Sequence, residues 1–304
     1  MAVGEGGSVP EGGAVLEGGA VPEGGAVSES GAVSENGASA VANTVVVKLG
    51  GEVVGGAKMA ELARDLRALA DGGSRVVVTH GGGPQATSLS KKLGLEPRMI
   101  GGRRVTDAAT LDVMKMTIAG QVNVDLCAQL RAAGLDPVGL HDIVRAHKRP
   151  PRVVSGGGPD AIDFGHVGDV DDFDVRLLER VLDGGWLPVV ACLGHGRDGA
   201  VYNINADIVA NQLAGALRAD ALVLVTGAPG VLRDINDPAS RIPRLTVAEG
   251  KRAIAEGVVS GGMIPKLEES FAALSLGARA IYIVAGEVAR AVREPGAIGT
   301  VLLP

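Results

Sequence analysis

Residues 44–51 read TVVVKLGG, and this stretch decides the fold. Thr44–Leu49 is a run of β-branched and apolar residues, the composition of a buried strand. The glycine pair after it lets the backbone turn sharply. The pattern recurs at 75–83, RVVVTHGGG. Working outward from these two stretches, apolar residues alternate between strand runs and helical spacing. Helices are predicted over Ala57–Leu69, closed by Asp71-Gly72-Gly73, over Pro84–Leu93, and over a long stretch Thr106–Ala133 with Thr106 or Asp107 near its N-cap. A strand at Pro137–Leu140, a helix at Asp174–Leu182 and a strand at Trp186–Leu193 follow. After them come a helix at Ala206–Leu217, a strand at Ala221–Thr226, helices at Val247–Glu256 and Met263–Leu276, and strands at Ala280–Val284 and Thr300–Leu303. Short apolar strands alternating with helices define an α/β protein with a mostly parallel sheet covered on both faces. Residues 144–172, rich in Pro, Gly and Asp, read as hairpins or a mobile flap.

Charge separates this body from what precedes it. The 304 residues carry a formal net charge of −6, from 35 acidic and 29 basic residues. Six glutamates, at positions 5, 11, 17, 23, 29 and 35, lie in the first 38 residues, which hold no Lys, Arg or Asp. The rest of the chain balances at 29 acids against 29 bases. An electroneutral body with no basic block argues against a nucleic-acid binder. Residues 3–38 are six tandem hexapeptides of pattern V-x-E-x-G-[AS]. One valine per repeat among so much glycine cannot offset the entropy of ordering, so residues 1–42 are expected to be a disordered tail. A hexapeptide β-helix is the alternative, but six repeats would give only about two coils. Two cysteines, Cys127 and Cys192, exclude a disulfide scaffold and suit a reducing cytoplasm. No apolar run reaches the ~18 residues of a membrane span, and residue 1 onward has no basic and apolar signal segment.

Ligands of open α/β sheets bind beyond the carboxyl ends of the strands. Three glycine clusters are expected there: Gly50-Gly51, Gly81-Gly82-Gly83 and Gly194–Gly199. Glycine-rich turns beside helix N-termini expose N–H groups that hold phosphate or an oxyanion. Gly194–Gly199 fits G-x-G-x-x-G, but Asp220 precedes the next strand instead of ending it, and polar residues 201–205 intervene, so it reads as a hairpin. No P-loop pattern occurs. The remaining polar groups are Lys48 at the end of a buried strand, Asn203, Asn205 and Asp207 at a helix start, and Lys266 at another. Capping accounts for one of Asn205 and Asp207. A lysine near a helix N-terminus is disfavoured unless an anion joins it. Two lysines, two glycine nests and an organising aspartate meet the needs of phosphoryl transfer, which are cations for the moving charge and N–H groups to hold it in line.

VVVKLGG, VVVTHGGGPQ, GGRRVTD, YNINAD, TGAPGVL and SGGMIPK, in this order, resemble the amino acid kinase superfamily, and within it the N-acetyl-L-glutamate kinases. The resemblance covers residues 44–304. It implies an open αβα sandwich of the carbamate kinase-like type. Its N-terminal lobe, residues 43–195, would hold the acyl amino acid and the dimer contact, and its C-terminal lobe, 196–304, would hold ATP. Lys48 and Lys266 would stabilise the transition state and Asp207 would orient them. Gly50 and Gly51 would contact the transferred phosphoryl group. Gly81 and Gly82 would bind substrate by backbone N–H, Arg104 would clamp a substrate carboxylate, and Asn203 and Asn205 would hold the amino-acid end. Thr226, Gly227, Gly230, Leu232, Ser260 and Met263 would flank the nucleotide. Mg²⁺ would be carried by ATP, with no metal ligand from the protein. The reaction implied is ATP-dependent phosphorylation of the side-chain carboxylate of N-acetyl-L-glutamate, a step of arginine biosynthesis, by a cytoplasmic homodimer.

Three departures from the family pattern stand out. Gly227 replaces the usual acidic residue of T-D-V-x-G. Gly139-Leu140-His141-Asp142-Ile143-Val144 replaces a glycine-rich loop over the substrate. Residues 293–300, REPGAIGT, keep only part of a C-terminal pattern tied to arginine feedback. The second departure, together with the unusual hexapeptide tail, motivates an alternative, a paralogue acting on another acyl amino acid or carboxylate. The first motivates a non-catalytic binding protein on the same fold.

Overall fold

The computed structural model describes residues 43–304 except Ser155 and Ser260. The hexapeptide tail and the expectation of disorder for it lie outside the described residues.

In chain order the body runs β1 (Thr44–Leu49), α1 (Met59–Asp71), β2 (Arg75–His80), α2 (Gly83–Lys92), then a small hairpin of β3 (Met99–Ile100) and β4 (Arg103–Arg104). One long helix follows, made of α3 (Ala108–Met114), a π-helical segment (Lys115–Val122) and α4 (Asn123–Ala132). Then come β5 (Pro137–Leu140), β6 (Val144–Lys148), β7 (Gly168–Phe173), α5 (Val175–Asp183), β8 (Leu187–Ala191), β9 (Leu193–His195), β10 (Val201–Asn203) and α6 (Ala206–Ala216). The last part is β11 (Ala221–Val225), β12 (Arg244–Thr246), α7 (Val247–Ala255), α8 (Met263–Ser275), β13 (Ile281–Val284), α9 (Val288–Arg293) and β14 (Thr300–Leu303). The long helix starts at Asp107, whose carboxylate accepts from Thr110 N at 2.8 Å.

Eight strands form one sheet in the order β12-β14-β13-β11-β1-β2-β8-β5. Every neighbouring pair is parallel except β13 with β14. β1 lies inside the sheet, between β11 and β2, with all six residues buried. Side chains alternate across a strand. Val45, Val47 and Leu49 therefore join the core under α1, α4 and α9, while Val46 faces the core of α6 and α8. Lys48 shares the parity of Val46, so the lysine emerges on the α6 and α8 side.

A second sheet, β10-β9-β6-β7, rises beside the first. The 144–172 segment is a hairpin there, with β6 antiparallel to β7. The predicted strand Trp186–Leu193 is corrected to two. β8 belongs to the large sheet, and the chain bends at Cys192, whose carbonyl accepts from Ile204 N at 3.1 Å, so that β9 pairs with β10 instead. The Gly194–Gly199 cluster is accordingly the turn region of the β9–β10 hairpin, as its reading as a hairpin required. It does not lie beyond a strand of the large sheet, as its grouping with the other two glycine clusters had placed it. Among the described residues no helix is long and apolar enough to cross a membrane.

Candidate active site

Three charged residues distant in sequence meet above the carboxyl end of β1. Lys48 Nζ lies 2.7 Å from Asp207 Oδ1, and Lys266 Nζ lies 4.0 Å from Asp207 Oδ2. The Lys48–Asp207 contact has the distance of an ion pair, but Oδ1 makes no aligned hydrogen bond, so it keeps accepting capacity. The pair is well buried, with side chains 8% and 19% exposed, whereas Lys266 is more open at 28%. Local sequence builds each position. Asn205 is the N-cap of α6 and accepts from Asp207 N at 2.9 Å, which places Asp207 in the first turn. Lys266 sits in the first turn of α8, beyond Gly261 and Gly262. Two ammonium groups held by one carboxylate leave a net positive charge at the end of a buried strand, the field an anion needs.

The two glycine turns face one another next to this cluster. A Cβ built on Gly51 would lie 3.1 Å from the nitrogens of both Gly82 and Gly83, and one on Gly81 would lie 3.4 Å from Gly51 N. Side chains here would fill the space in front of the N–H groups. Gly81 N donates to Leu49 O at 3.0 Å and Gly50 N to Val225 O at 3.4 Å, both extensions of the strand ladder. In this structure the N–H groups of Gly81 and Gly50, both expected to meet a ligand, are thus engaged with the strand ladder. Gly51, Gly82 and Gly83 N–H have no acceptor among the described residues. Gln85 supports the cradle from behind, donating to Gly51 O at 2.7 Å and Val54 O at 2.9 Å.

Arg104, on β4, reaches toward α2. Its Nη2 donates to Thr87 Oγ1 at 2.7 Å and Gly83 O at 3.2 Å, and its buried Nη1 has no partner among the described residues. Burial pulls the guanidinium below the usual arginine pKa. Asn203, at the end of β10, donates to Thr106 Oγ1 at 3.1 Å, which ties the small sheet to the start of the long helix.

The expected nucleotide residues are less concentrated. Thr226 and Gly227 line a cavity of about 850 Å³ at the ends of β1, β11 and β13, together with Glu52, Asp65, Arg241 and Glu287. That size suits a small-molecule ligand, but the lining does not include Lys48, Asp207 or Lys266. Gly230 supports β14, because a Cβ there would meet Thr300 Oγ1 at 2.8 Å. Leu232 bridges to Arg241, and Met263 is the half-buried first residue of α8. Ser260 lies outside the described residues. A Cβ on Gly227 would meet nothing within 4 Å, so packing does not impose glycine there.

One charged group was not foreseen. Glu269 is half-buried on α8, one turn after Lys266. Burial raises its pKa, the charge of Asp207 adds to the rise, and Lys266, Lys48 and Arg103 oppose it. Its spacing of three from Lys266 was the available signal. Cys192 lies behind Lys48, and burial pushes its thiol up to about 12.

An open, mostly parallel sheet with paired lysines and facing glycine turns at its carboxyl edge defines a phosphoryl-transferring class. A profile of the Amino acid kinase family matches residues 43–285. The chain belongs to that family. Two similar relatives within it are acetylglutamate kinases. Acetylglutamate kinase of Anaeromyxobacter dehalogenans (strain 2CP-C) is 58% identical over 267 residues, spanning 85% of this chain and 99% of that protein. Acetylglutamate kinase of Sorangium cellulosum (strain So ce56) is 59% identical over 268 residues, spanning 86% and 94%. Among solved structures, the fold is that of carbamate kinase from Giardia lamblia bound to AMP-PNP. That match has a TM-score of 0.63 at 17% identity and covers 86% of this chain and 99% of the other.

Proposed function

We propose that this protein transfers the γ-phosphoryl group of ATP to the side-chain carboxylate of N-acetyl-L-glutamate, giving an acyl phosphate for arginine biosynthesis. The observation that carries the reading is Asp207 placed between Lys48 and Lys266, at 2.7 and 4.0 Å. Relatives named acetylglutamate kinase at 58% and 59% identity supply the acceptor. In this reading the two lysines offset charge on the moving phosphoryl group, and Asp207 holds both without taking part in bond changes. The free N–H groups of Gly51, Gly82 and Gly83 hold the phosphoryl oxygens, beside the expected contact at Gly50. Arg104 Nη1 takes a carboxylate of the acceptor, for which its planar fork is suited, and Asn203 positions the amino-acid end. Mg²⁺ enters on ATP, whose oxygens are hard ligands, and neutralises phosphate charge there. Thr226 and Gly227 flank the nucleotide, with Leu232, Met263 and Ser260.

The division into an acceptor lobe, 43–195, and an ATP lobe, 196–304, belongs to the same reading. Its boundary falls in the β9–β10 hairpin. A homodimer is supported by the outer face of the long helix. Met116 and Val124 are 50% and 62% exposed on that helix, apolar surface of the kind a second subunit covers. A reducing cytoplasm suits the free Cys127 and Cys192.

The test is incubation with ATP, Mg²⁺ and N-acetyl-L-glutamate, trapping acyl phosphate with hydroxylamine. Hydroxamate that depends on all three supports the reading, and its absence removes it. A panel of other acyl amino acids and carboxylates separates this acceptor from that of a paralogue. Sedimentation of the protein and of Val124→Arg tests the dimer, which the substitution is expected to dissociate.

A further inference from the structure

His80 is the last residue of β2, fully buried, directly before the Gly81–Gly83 turn. Its Nδ1 lies 3.0 Å from Gly81 O, and its Nε2 lies 3.0 Å from Asn123 Nδ2. Asn123, on the opposite helix and also buried, donates from the same Nδ2 to Val189 O at 3.0 Å. Both ends of this chain are backbone carbonyls, which can only accept. Nδ1 must therefore carry the proton toward Gly81, and the nitrogen of Asn123 must face Val189 and lend its second hydrogen to a bare Nε2. One assignment satisfies every group, a neutral imidazole protonated at Nδ1. Burial independently holds His80 below the usual histidine pKa.

The surroundings are shaped for this arrangement. A Cβ on Gly139 would come within 2.2 Å of Asn123 Oδ1, so glycine in β5 is what leaves room for the amide. A Cβ on Gly82 would meet Ile118 Cδ1 at 2.5 Å and Val122 Cγ2 at 3.2 Å. Ile118 and Asn123 are five residues apart. An α-helix would turn such positions to different faces, since neighbours on it are three or four apart. The π-helical segment closes turns of five and brings both residues to the glycine turn. The same segment marks where the long helix passes from one core to the other, with Val113 and Met114 in one and Leu126 and Leu130 in the other.

We propose that His80, held by Asn123, is a positioning residue that orients the Gly81–Gly82 peptide so that Gly82 N–H points into the phosphoryl site. The peptide group is planar and trans, so its carbonyl and the following N–H point in opposite directions. A carbonyl drawn down to His80 Nδ1 turns the Gly82 N–H up, toward the Gly51 turn. The inference rests on the phosphoryl-transfer reading given above.

The test compares His80→Asn, His80→Gln and His80→Leu in the full chain by hydroxamate trapping, with thermal melting to verify folding. Asparagine places an amide nitrogen where Nδ1 stood, so His80→Asn is expected to keep kcat within about threefold, since the donor hydrogen is not displaced. Glutamine and leucine remove the donor from that place. They are expected to lower kcat by ~10–100-fold, the scale of a small misplacement at a reacting centre, with KM for ATP and acceptor little changed. Equal kcat in His80→Asn and His80→Leu, high or low, would overturn the proposal. If His80→Leu does not fold, the Asn and Gln variants decide by the same comparison. The ¹⁵N spectrum of wild-type His80 reads the tautomer without any reaction. A protonated Nδ1 and bare Nε2 are expected, and the opposite assignment overturns the proposal. Should the wild-type protein form no hydroxamate, the reaction has been misread, and the spectrum alone judges the inference.

Discussion

Lys48 and Asp207, 159 positions apart in the sequence, stand 2.7 Å from one another at the end of a buried strand. Strand alternation turns the lysine to the α6 side, and the Asn205 cap sets the aspartate in the first turn of that helix. The second lysine arrives from α8, less buried and 4.0 Å from the same carboxylate. Lys48 is therefore fixed by its partner, and in the proposed mechanism Lys266 is the cation that would follow the moving phosphoryl group.

Lys266→Ala is accordingly expected to lower kcat by ~10²–10³, the loss associated with removing one transition-state donor. Melting temperature should barely change, because the lysine is partly exposed and its ion pair is long. Initial rates of hydroxamate formation with saturating substrates measure this, and an unchanged kcat removes Lys266 from the mechanism.

Arg104→Lys keeps the charge and loses the fork. Nη2 bridges Thr87 and Gly83 while Nη1 is left for a ligand, an arrangement a single ammonium cannot reproduce. KM for the acceptor is expected to rise by ~10-fold or more, as for loss of one charge-assisted hydrogen bond, with KM for ATP unchanged. Equal rises in both constants would place Arg104 elsewhere in the mechanism.

Glu269→Gln should stabilise the protein at neutral pH. The folded state holds the Glu269 proton more tightly than the unfolded chain, whose value is near 4.5. That stabilisation is complete below the unfolded value and is lost as pH rises through the raised folded value. At pH 7 the ionised carboxylate is thus a cost the glutamine avoids, and in acid the advantage disappears. Urea midpoints at the two pH values test this, and a variant less stable than wild type at pH 7 contradicts it.

Cys192 should resist thiol reagents in the folded protein. The thiolate is the reactive form, and a thiol pushed up to about 12 by burial supplies almost none at pH 8. Labelling with a chromogenic disulfide should report Cys192 only after denaturant is added. Rapid native labelling of that residue would show the site to be open to solvent.

Much of the fold was legible because its signals are local. TVVVKL and ALVLV are buried on both faces and carry no breaker, and the structure places them side by side in the sheet as β1 and β11. The break at Cys192 was not legible. Leu187–Leu193 is uniformly apolar, and the bend is set by a bond from Ile204, beyond the run. The π-helical segment was hidden for a related reason, since a five-residue hydrogen-bond step leaves no mark in composition. At the site, the lysines, Asp207 and the glycine turns were visible as motifs. The engagement of Gly81 N–H by Leu49 was not, because it depends on how far the ladder between β1 and β2 extends. Glu269 was marked only by its spacing from Lys266, and its place beside the site depends on the rotation of α8.

The strand that carries Lys48 is bonded along its whole length to β2 on one side and along nearly all of it to β11 on the other. No hinge can open at that seam without unzipping the middle of the sheet. Arg104 and Asn203, the proposed acceptor-binding residues, stand outside that seam, on the β3–β4 hairpin and the β9–β10 arm. In that reading the acceptor meets small appended elements, while the lysine at the phosphoryl site is anchored in the stiffest part of the molecule.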